Sequence, residues 1–229
     1  MKRLQERLKR IRMFEGLKPS QLRILAGFFT PEHHARGGAI FEEGQTGHSL
    51  YLILSGHVRI EHTDNASRRR NVLAILGPGD CFGEIAVVSE FNRTAAARAV
   101  DETKLLVIDD ERFLEVFRQY PEIARNILKA MAVKLYEANR MIEGLIFRNL
   151  EARLAAKIFD LSEKFGEAGA GGAIRINMRL TQSDLAELMG TNRETITRII
   201  SVFRKEGSID YAHQSLIITD AKLLRTWIQ

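Results

Sequence analysis

Apolar and polar residues follow two rhythms along the chain, and the change between them falls near Pro121. After a short amphipathic N-terminal stretch, residues 39–109 read as closely spaced β-strands. Leu50-Tyr51-Leu52-Ile53-Leu54 is an apolar run that ends at the turn signal Ser55-Gly56, after which Val58 and Ile60 alternate with polar residues. Val72-Leu73-Ala74-Ile75-Leu76 stops at Gly77-Pro78-Gly79-Asp80, and Leu105-Leu106-Val107-Ile108 is the last short apolar run before Asp109-Asp110. Short strands punctuated by glycine predict an antiparallel roll or barrel.

From Pro121 the period becomes helical. Leu128, Met131, Leu135, Ala138, Ile142, Leu145 and Asn149 follow one another in alternating steps of three and four, the spacing of a coiled-coil seam. One helix packed on its own roll can carry the same spacing. Sustained over this length it favours a second helix, so a homodimer through helix 121–148 is expected. Beyond it, Arg153 to Lys164 is again helical, Gly166 to Gly172 reads as a glycine-rich loop, and Ile174, Ile176, Met178 and Leu180 alternate as in a strand. Thr181-Gln182-Ser183-Asp184 opens a capped helix over Leu185, Ala186 and Leu188 that Gly190 breaks. Asn192 caps the next helix, Arg193 to about Lys205, and Ile209 to Thr219 suggests a small β-hairpin or wing. Helix, glycine turn and helix make a helix-turn-helix. The expected organisation is therefore α+β: an antiparallel, jelly-roll-like β-roll over 1–120, a dimerisation helix and linker over 121–148, and a winged helix-turn-helix over 149–229.

Length and charge narrow the classes. The chain of 229 residues suits two modest domains, each able to bury a core. No apolar run is long enough to span a bilayer, and Met1-Lys2-Arg3-Leu4-Gln5-Glu6-Arg7 lacks the apolar core of a signal peptide. A cytoplasmic protein with no membrane partner is expected. The single Cys81 rules out an internal disulfide and falls short of the thiolates an iron–sulfur cluster needs. The net charge of +5 hints at nucleic acid, but residues 1–36 hold nine Lys/Arg against three Asp/Glu, whereas 149–229 hold eleven against ten. The excess lies away from the helix-turn-helix, so local placement has to carry any nucleic-acid argument.

Two clusters carry chemistry. In Phe82-Gly83-Glu84-Ile85-Ala86 and Arg93-Thr94-Ala95, Gly83 lets backbone N–H groups approach a phosphate, and Arg93 offers it a charge-assisted, bidentate partner. Thr94 adds a hydroxyl donor, and Glu84 can accept from a ribose 2′-hydroxyl. The same residues also fit a plain strand-end turn with a solvated Glu84–Arg93 pair. In the second cluster, Arg193, Glu194 and Arg198 can share the exposed face of one helix. A helix in the major groove presents its first residues to base edges, arginine matching guanine O6/N7 and glutamate accepting from cytosine N4. A simple i,i+4 surface pair of Glu194 with Arg198 is the alternative, and the position just after a capped helix and the Gly190 turn favours the reader.

Gly44, Gly47, Leu52, Gly56, Val58, Gly77-Pro78-Gly79-Asp80, Phe82-Gly83-Glu84 and Arg93-Thr94-Ala95 together resemble the cyclic-nucleotide-binding domain. Joined to the C-terminal half, the chain resembles the cyclic-AMP receptor protein/FNR family from about residue 14 to 220. The resemblance implies a β-roll sensor, a dimerising helix and a winged helix-turn-helix in a transcription regulator, not an enzyme. It implies that Glu84 binds the ribose while Gly83, Ile85, Ala86, Arg93 and Thr94 surround the phosphate, with cyclic AMP as allosteric effector. Ala138 and Asn139 fall where the family's receptor protein has a Thr-Ser pair facing the base. Ala138 offers no hydrogen bond, whereas Asn139 can pair with an adenine or a guanine edge. Arg193-Glu194-Thr195 with Arg198 is similar to the family's recognition helix. It implies a palindrome of TGTGA-like half-sites, with Arg193 and Arg198 on guanines, Glu194 on cytosine, and Thr181, Asn192 and Thr195 at the DNA backbone. RNA polymerase is the further partner implied.

Other inputs stay open at this stage: cyclic GMP, a cyclic dinucleotide, haem, thiol oxidation at Cys81, or no ligand. Cys81 most simply reads as a small apolar residue. The histidines lack ligand spacing, with His33-His34 expected in a loop, so no metal is predicted. Arg68-Arg69-Arg70 reads as a solvated hairpin tip.

Overall fold

A computed structural model describes residues 8–9, 11–64, 70–89, 91–212 and 214–228; of Arg12, Arg140, Met141, Glu143, Leu145, Ile146, Phe147, Ala170 and Ala212 it describes the backbone. The chain divides into two compact units, with the border inside a long helix between Tyr136 and Glu137.

The first unit is the antiparallel roll that the strand pattern predicts. One four-stranded sheet has the order β1 (Thr30–His34), β8 (Thr103–Asp109), β3 (Ser49–Ser55), β6 (Cys81–Phe82). The other runs β2 (Ala39–Phe41), β7 (Ala96–Ala99), β4 (Val58–Thr63), β5 (Arg70–Leu76). The continuous apolar runs in β3 and β8 arise because both faces are covered. Ile53, Leu105 and Val107 join Phe41, Val58, Leu76, Phe82 and Ala97 inside the roll. Leu50, Leu52, Leu106 and Ile108 face a helical layer instead. That layer holds Phe14, α1 (Pro19–Leu25), α3 (Asp110–Gln119) and the start of the long helix α4 (Pro121–Phe147), through Ile123 and Ile127. Next to β3, α2 (Glu84–Val88) is a single short turn.

Asn126 fixes α4 to the N-terminal segment. Its buried amide nitrogen donates to the carbonyls of Met13 at 3.0 Å and Glu15 at 2.9 Å. Further along α4 the seam residues Leu128, Leu135 and Ile142 are 66%, 64% and 55% exposed, so this apolar stripe has no cover within the described chain.

In the second unit α5 (Leu150–Phe165) packs against a sheet of order β11 (Ile209–Ala212), β12 (Ser215–Ile218), β10 (Ile174–Ile176), β9 (Gly166–Ala168). Then come α6 (Gln182–Met189), α7 (Arg193–Lys205) and a C-terminal α8 (Ala221–Thr226). Gly190 ends α6 at φ +65°, a left-handed conformation that glycine adopts without a Cβ clash, and this turn aims α7. The β11–β12 hairpin is the expected wing.

Four local expectations are corrected. His33 and His34 lie in β1, opposite Lys104 and Thr103, not in a loop. The polar segment Thr-Pro-Glu-His-His hides its strand because β1 is an edge that pairs with β8 alone, where proline and polar residues are tolerated. Asn149 is not the last seam residue: α4 ends at Phe147, and the Asn149 side chain accepts from Ala152 N at 2.8 Å to cap α5. The glycine-rich stretch is no simple loop, since Gly166–Ala168 pairs with β10. β10 itself covers only Ile174–Ile176, with Met178 and Leu180 buried beyond the strand. Arg68 and Arg69 lie outside the described residues, and Arg70 begins β5.

Replacing Asn126 with alanine leaves the Met13 and Glu15 carbonyls unpaired beneath the surface. A loss of about 1–3 kcal/mol is expected, read as a lower urea midpoint by circular dichroism at unchanged slope.

Candidate nucleotide pocket and DNA-reading helix

The pocket is organised around a buried arginine. Arg93 is 4% exposed, yet its guanidinium has fixed acceptors: Nη1 donates to the Gly83 carbonyl at 3.0 Å and Nη2 to the Ser49 carbonyl at 2.9 Å. Its central carbon lies 4.3 Å from the Phe41 ring centroid and 5.4 Å from that of Tyr51, a cation–π arrangement. Tyr51 stacks in turn on Phe82, with centroids 5.1 Å apart. Burial pulls the guanidinium's pKa down while Tyr51 and Glu84 oppose it. Burial pushes the Tyr51 phenol up, against the pull of Arg93.

Two glycines make room for this side chain. A Cβ on Gly83 would stand 2.7 Å from Arg93 Nη1 and 2.9 Å from the Ser49 carbonyl oxygen, and one on Gly47 would stand 3.0 Å from Arg93 Nε. Gly83 also takes φ +80° as the residue that starts α2. The glycine requirement read from the sequence is thus steric, set by the arginine itself as well as by the turn.

Glu84 does not pair with Arg93 in a solvated turn. It is 7% exposed, and its Oε1 lies 2.8 Å from Lys134 Nζ of α4, which also donates to the Cys81 carbonyl at 3.1 Å. Burial pulls the Lys134 pKa down, but the neighbouring Glu84 carboxylate, with Cys81 and Asp80, outweighs it and leaves the ammonium raised. Of the remaining predicted residues, Ala86 is buried, Ile85 is 42% exposed and Thr94 is exposed. The backbone N–H groups of Glu84, Ile85 and Ala86 belong to the first turn of α2, which lacks acceptors of its own. The site therefore offers a buried cation and a buried carboxylate beside a glycine turn, the donors and acceptor that a phosphate joined to a sugar requires.

The sequence reading missed Lys134, Phe41 and Tyr51. Lys134 stands beside the seam in the heptad, where a charged residue is ordinary, and only the fold brings it to Glu84. Asn139 is exposed on the same helix. Five residues separate it from Lys134, about 140° around an α-helix. It therefore shares the side of Leu128, Leu135 and Ile142, away from the side on which Lys134 meets Glu84.

The reading helix is built by its caps and its buried face. Asn192 Oδ1 accepts from Thr195 N at 2.8 Å, while Ile196, Ile199, Ile200 and Phe203 are buried in the helical rhythm i, i+3, i+4, i+7. The opposite face carries Arg193, Glu194, Thr197 and Arg198, all exposed, and Thr195 is half-buried. Glu194 and Arg198 form no ion pair with each other, so the surface-pair alternative is not what the structure contains. Thr181 closes a capping box: its hydroxyl accepts from Asp184 N at 3.0 Å and donates to Asp184 Oδ2 at 2.7 Å. Among the described residues no group of three or more His, Cys, Asp or Glu side chains is placed to hold a metal, and no helix is long and apolar enough to cross a membrane.

Residues 31–120 match the cyclic nucleotide-binding domain, and residues 152–227 match the Crp-like helix-turn-helix domain. The chain is 33% identical over 221 residues to a CRP-like cAMP-activated global transcriptional regulator of Mycobacterium tuberculosis, covering 96% of this chain and 98% of that one. It is 32% identical over 212 residues to a cyclic AMP receptor protein of Thermus thermophilus, covering 93% and 94%. A solved transcriptional regulator of the CRP/FNR family, also from Thermus thermophilus, superposes with a TM-score of 0.72 at 27% identity, over 87% of this chain and 98% of the other. These relatives are regulators, not enzymes. With a nucleotide-binding roll before a helix-turn-helix whose reading face is bare, the chain belongs to the CRP/FNR family of DNA-binding transcriptional regulators.

Proposed function

We propose that this regulator is switched by cyclic AMP and, as a homodimer, binds a palindrome of TGTGA-like half-sites. The observation that carries the reading is that a buried arginine, Arg93, and a buried carboxylate, Glu84, both stand beside Gly83 without pairing with each other. Arg93 suits a singly charged cyclic phosphate, with Thr94 and the N–H groups of Ile85 and Ala86 around it, and Glu84 suits the ribose hydroxyl. The names of the Mycobacterium and Thermus relatives support cyclic AMP over other nucleotides. Asn139, on the seam side of α4, suits the base edge in the assembled dimer.

The exposed stripe of Leu128, Met131, Leu135 and Ile142 supports pairing through α4. In the proposed mechanism the ligand competes for groups already engaged. Its phosphate draws Arg93 away from the Gly83 and Ser49 carbonyls, and its ribose draws Glu84 away from Lys134. The second exchange alters how α4 is held, and α4 carries the seam. Only a ligand that binds the DNA-competent arrangement more tightly shifts this population. Arg193 and Arg198 would then read guanines and Glu194 cytosine, with Thr181, Asn192 and Thr195 at the DNA backbone. The division into a sensor over 1–120, a helix over 121–148 and a reader over 149–229, action in the cytoplasm and contact with RNA polymerase complete the reading.

Thiol oxidation is a poor rival input, because burial pushes the Cys81 thiol up to about 11. Neutral thiol persists well above physiological pH, and the neutral form is a weak nucleophile.

Fluorescence anisotropy of a TGTGA-type palindrome at fixed salt is expected to show a large gain in affinity with saturating cyclic AMP. Unchanged affinity across the titration sinks the gating, and a response to cyclic GMP alone moves the ligand assignment. Arg93→Lys keeps the charge but loses the fork; about tenfold weaker nucleotide binding is expected by calorimetry. Leu135→Glu places a charge in the seam and is expected to yield monomers in sedimentation. Cys81→Ser is expected to keep the full nucleotide response. Native Cys81 should react with a thiol reagent at pH 8 about a hundredfold slower than in the unfolded chain, accelerating as pH rises toward 11.

A further inference from the structure

The outer face of the sheet formed by β2, β7 and β4 carries charges that the pocket does not use. Phe41, Val58 and Ala97 point into the roll, so alternation along the strands turns Arg59, Glu61 and Arg98 the other way. Arg59 and Arg98 stand directly opposite each other on β4 and β7, a like-charge pair that needs an anion. Buried Glu61 supplies it, with Oε2 2.7 Å from Arg59 Nε and Oε1 2.8 Å from Arg98 Nε. The other edge of the Arg98 guanidinium reaches further: Nη2 donates to both carboxylate oxygens of Glu42, at 2.8 and 2.9 Å. The Glu42 side chain is 55% exposed, so no buried charge requires this second bridge.

We propose that Arg98 and Glu42 are positioning residues for nucleotide recognition: their bridge sets, from outside the roll, the strand end whose Phe41 ring carries the Arg93 guanidinium. The proposal rests on the reading of the Arg93 pocket as a cyclic-nucleotide site. β2 has three residues, lies at the edge of its sheet beside β7, and shifts register on β7 between Ala39 and Phe41. So short and irregular a ladder specifies the placement of Phe41 only weakly. Arg98, held at one edge by buried Glu61, gives Glu42 a fixed mark one residue beyond Phe41. The segment that follows wraps Arg93. Glu42 N donates to Gln45 Oε1 at 3.0 Å, Gly44 and Gln45 bond to the Arg93 main chain, and a Cβ on Gly47 would meet the guanidinium. One arginine thus faces the phosphate and another, five residues on, holds the segment around it, so less ordering is left for the ligand to supply.

The sign of the effect separates positioning from simple electrostatics. Removing a carboxylate near an anion site strengthens anion binding through Coulomb's law, whereas loss of positioning weakens it. By calorimetry on the full chain, Glu42→Ala is expected to bind cyclic AMP about fivefold more weakly. Its urea midpoint should stay close to wild type, because an exposed ion pair adds little to stability. Glu42→Gln removes the same charge but keeps an acceptor for Arg98 Nη2, and should restore most of the affinity. In an Arg93→Lys background, Glu42→Ala should add less than about twofold, because the bridge acts through Arg93. Unchanged or tighter binding by Glu42→Ala overturns the proposal, as does Glu42→Gln binding as weakly as Glu42→Ala. Losses that multiply in the double variant, or weak binding accompanied by a large fall in the urea midpoint, assign the bridge a purely structural role and overturn it too. Wild-type protein that binds no cyclic nucleotide overturns the pocket reading and the proposal with it; normal wild-type binding with an indifferent Glu42→Ala overturns the proposal alone.

Discussion

A charged guanidinium can be taken out of water only where fixed acceptors replace the solvent, and Arg93 imposes that requirement on the whole mouth of the roll. Its acceptors are main-chain carbonyls of Gly83 and Ser49, and its faces rest against Phe41 and Tyr51. One side chain therefore touches β2, β3 and the glycine that precedes α2. The main chain closes the same corner, with Gly44 N donating to Arg93 O at 2.7 Å and Arg93 N to Gln45 O at 3.0 Å. A phosphate would replace neutral carbonyl partners with an anionic one, a stronger partner for a buried cation. The aromatic platform lets the charge stay buried without a carboxylate partner, leaving Glu84 for other work.

That other work is the contact with Lys134. A half-buried ammonium and a buried carboxylate 2.8 Å apart stabilise each other, and removing either leaves a charge without compensation. The pair links the turn after β6 to α4, the element that runs from one unit into the other. Asn126 holds the same helix nearer its start, through neutral bonds to the N-terminal segment. One attachment of α4 is thus built from groups a ligand can compete for, and the other is not. This difference gives the helix one replaceable anchor, which a switch requires.

The reader is assembled by economical means. The capping box at Thr181, the left-handed Gly190 and the Asn192 cap set the entry of α7, and four apolar residues press its other side into the core. Such a helix presents polar groups outward without a bound partner. Its Phe203 face is closed by Trp227, whose indole N–H donates to Glu206 at 3.0 Å.

Much of this was legible before any fold was seen, because it rests on local rules. Apolar runs ending in glycine turns, the change of period at Pro121, and the Thr181, Gly190 and Asn192 signals depend on residues within a turn or two of one another. They suffice for the roll, the long helix and the helix-turn-helix. The motif residues of the pocket were likewise readable as a set, since the Gly83 turn and Arg93 lie only ten residues apart. What the sequence could not reveal is decided across distances of tens of residues: an edge strand of polar residues at His33 and His34 exists because β8 is there to pair with it. Lys134 meets Glu84 fifty residues away because α4 lies along the roll, and Gln182 meets Thr197 because Gly190 folds one helix back on the other. Sequence determined most of the elements that form, the edge strands β1 and β9 excepted, and which side chains can carry charge to a ligand or a base. Tertiary structure alone decided the partner each charge keeps, because burial and direction in space, not spacing along the chain, fix the strength of a polar contact.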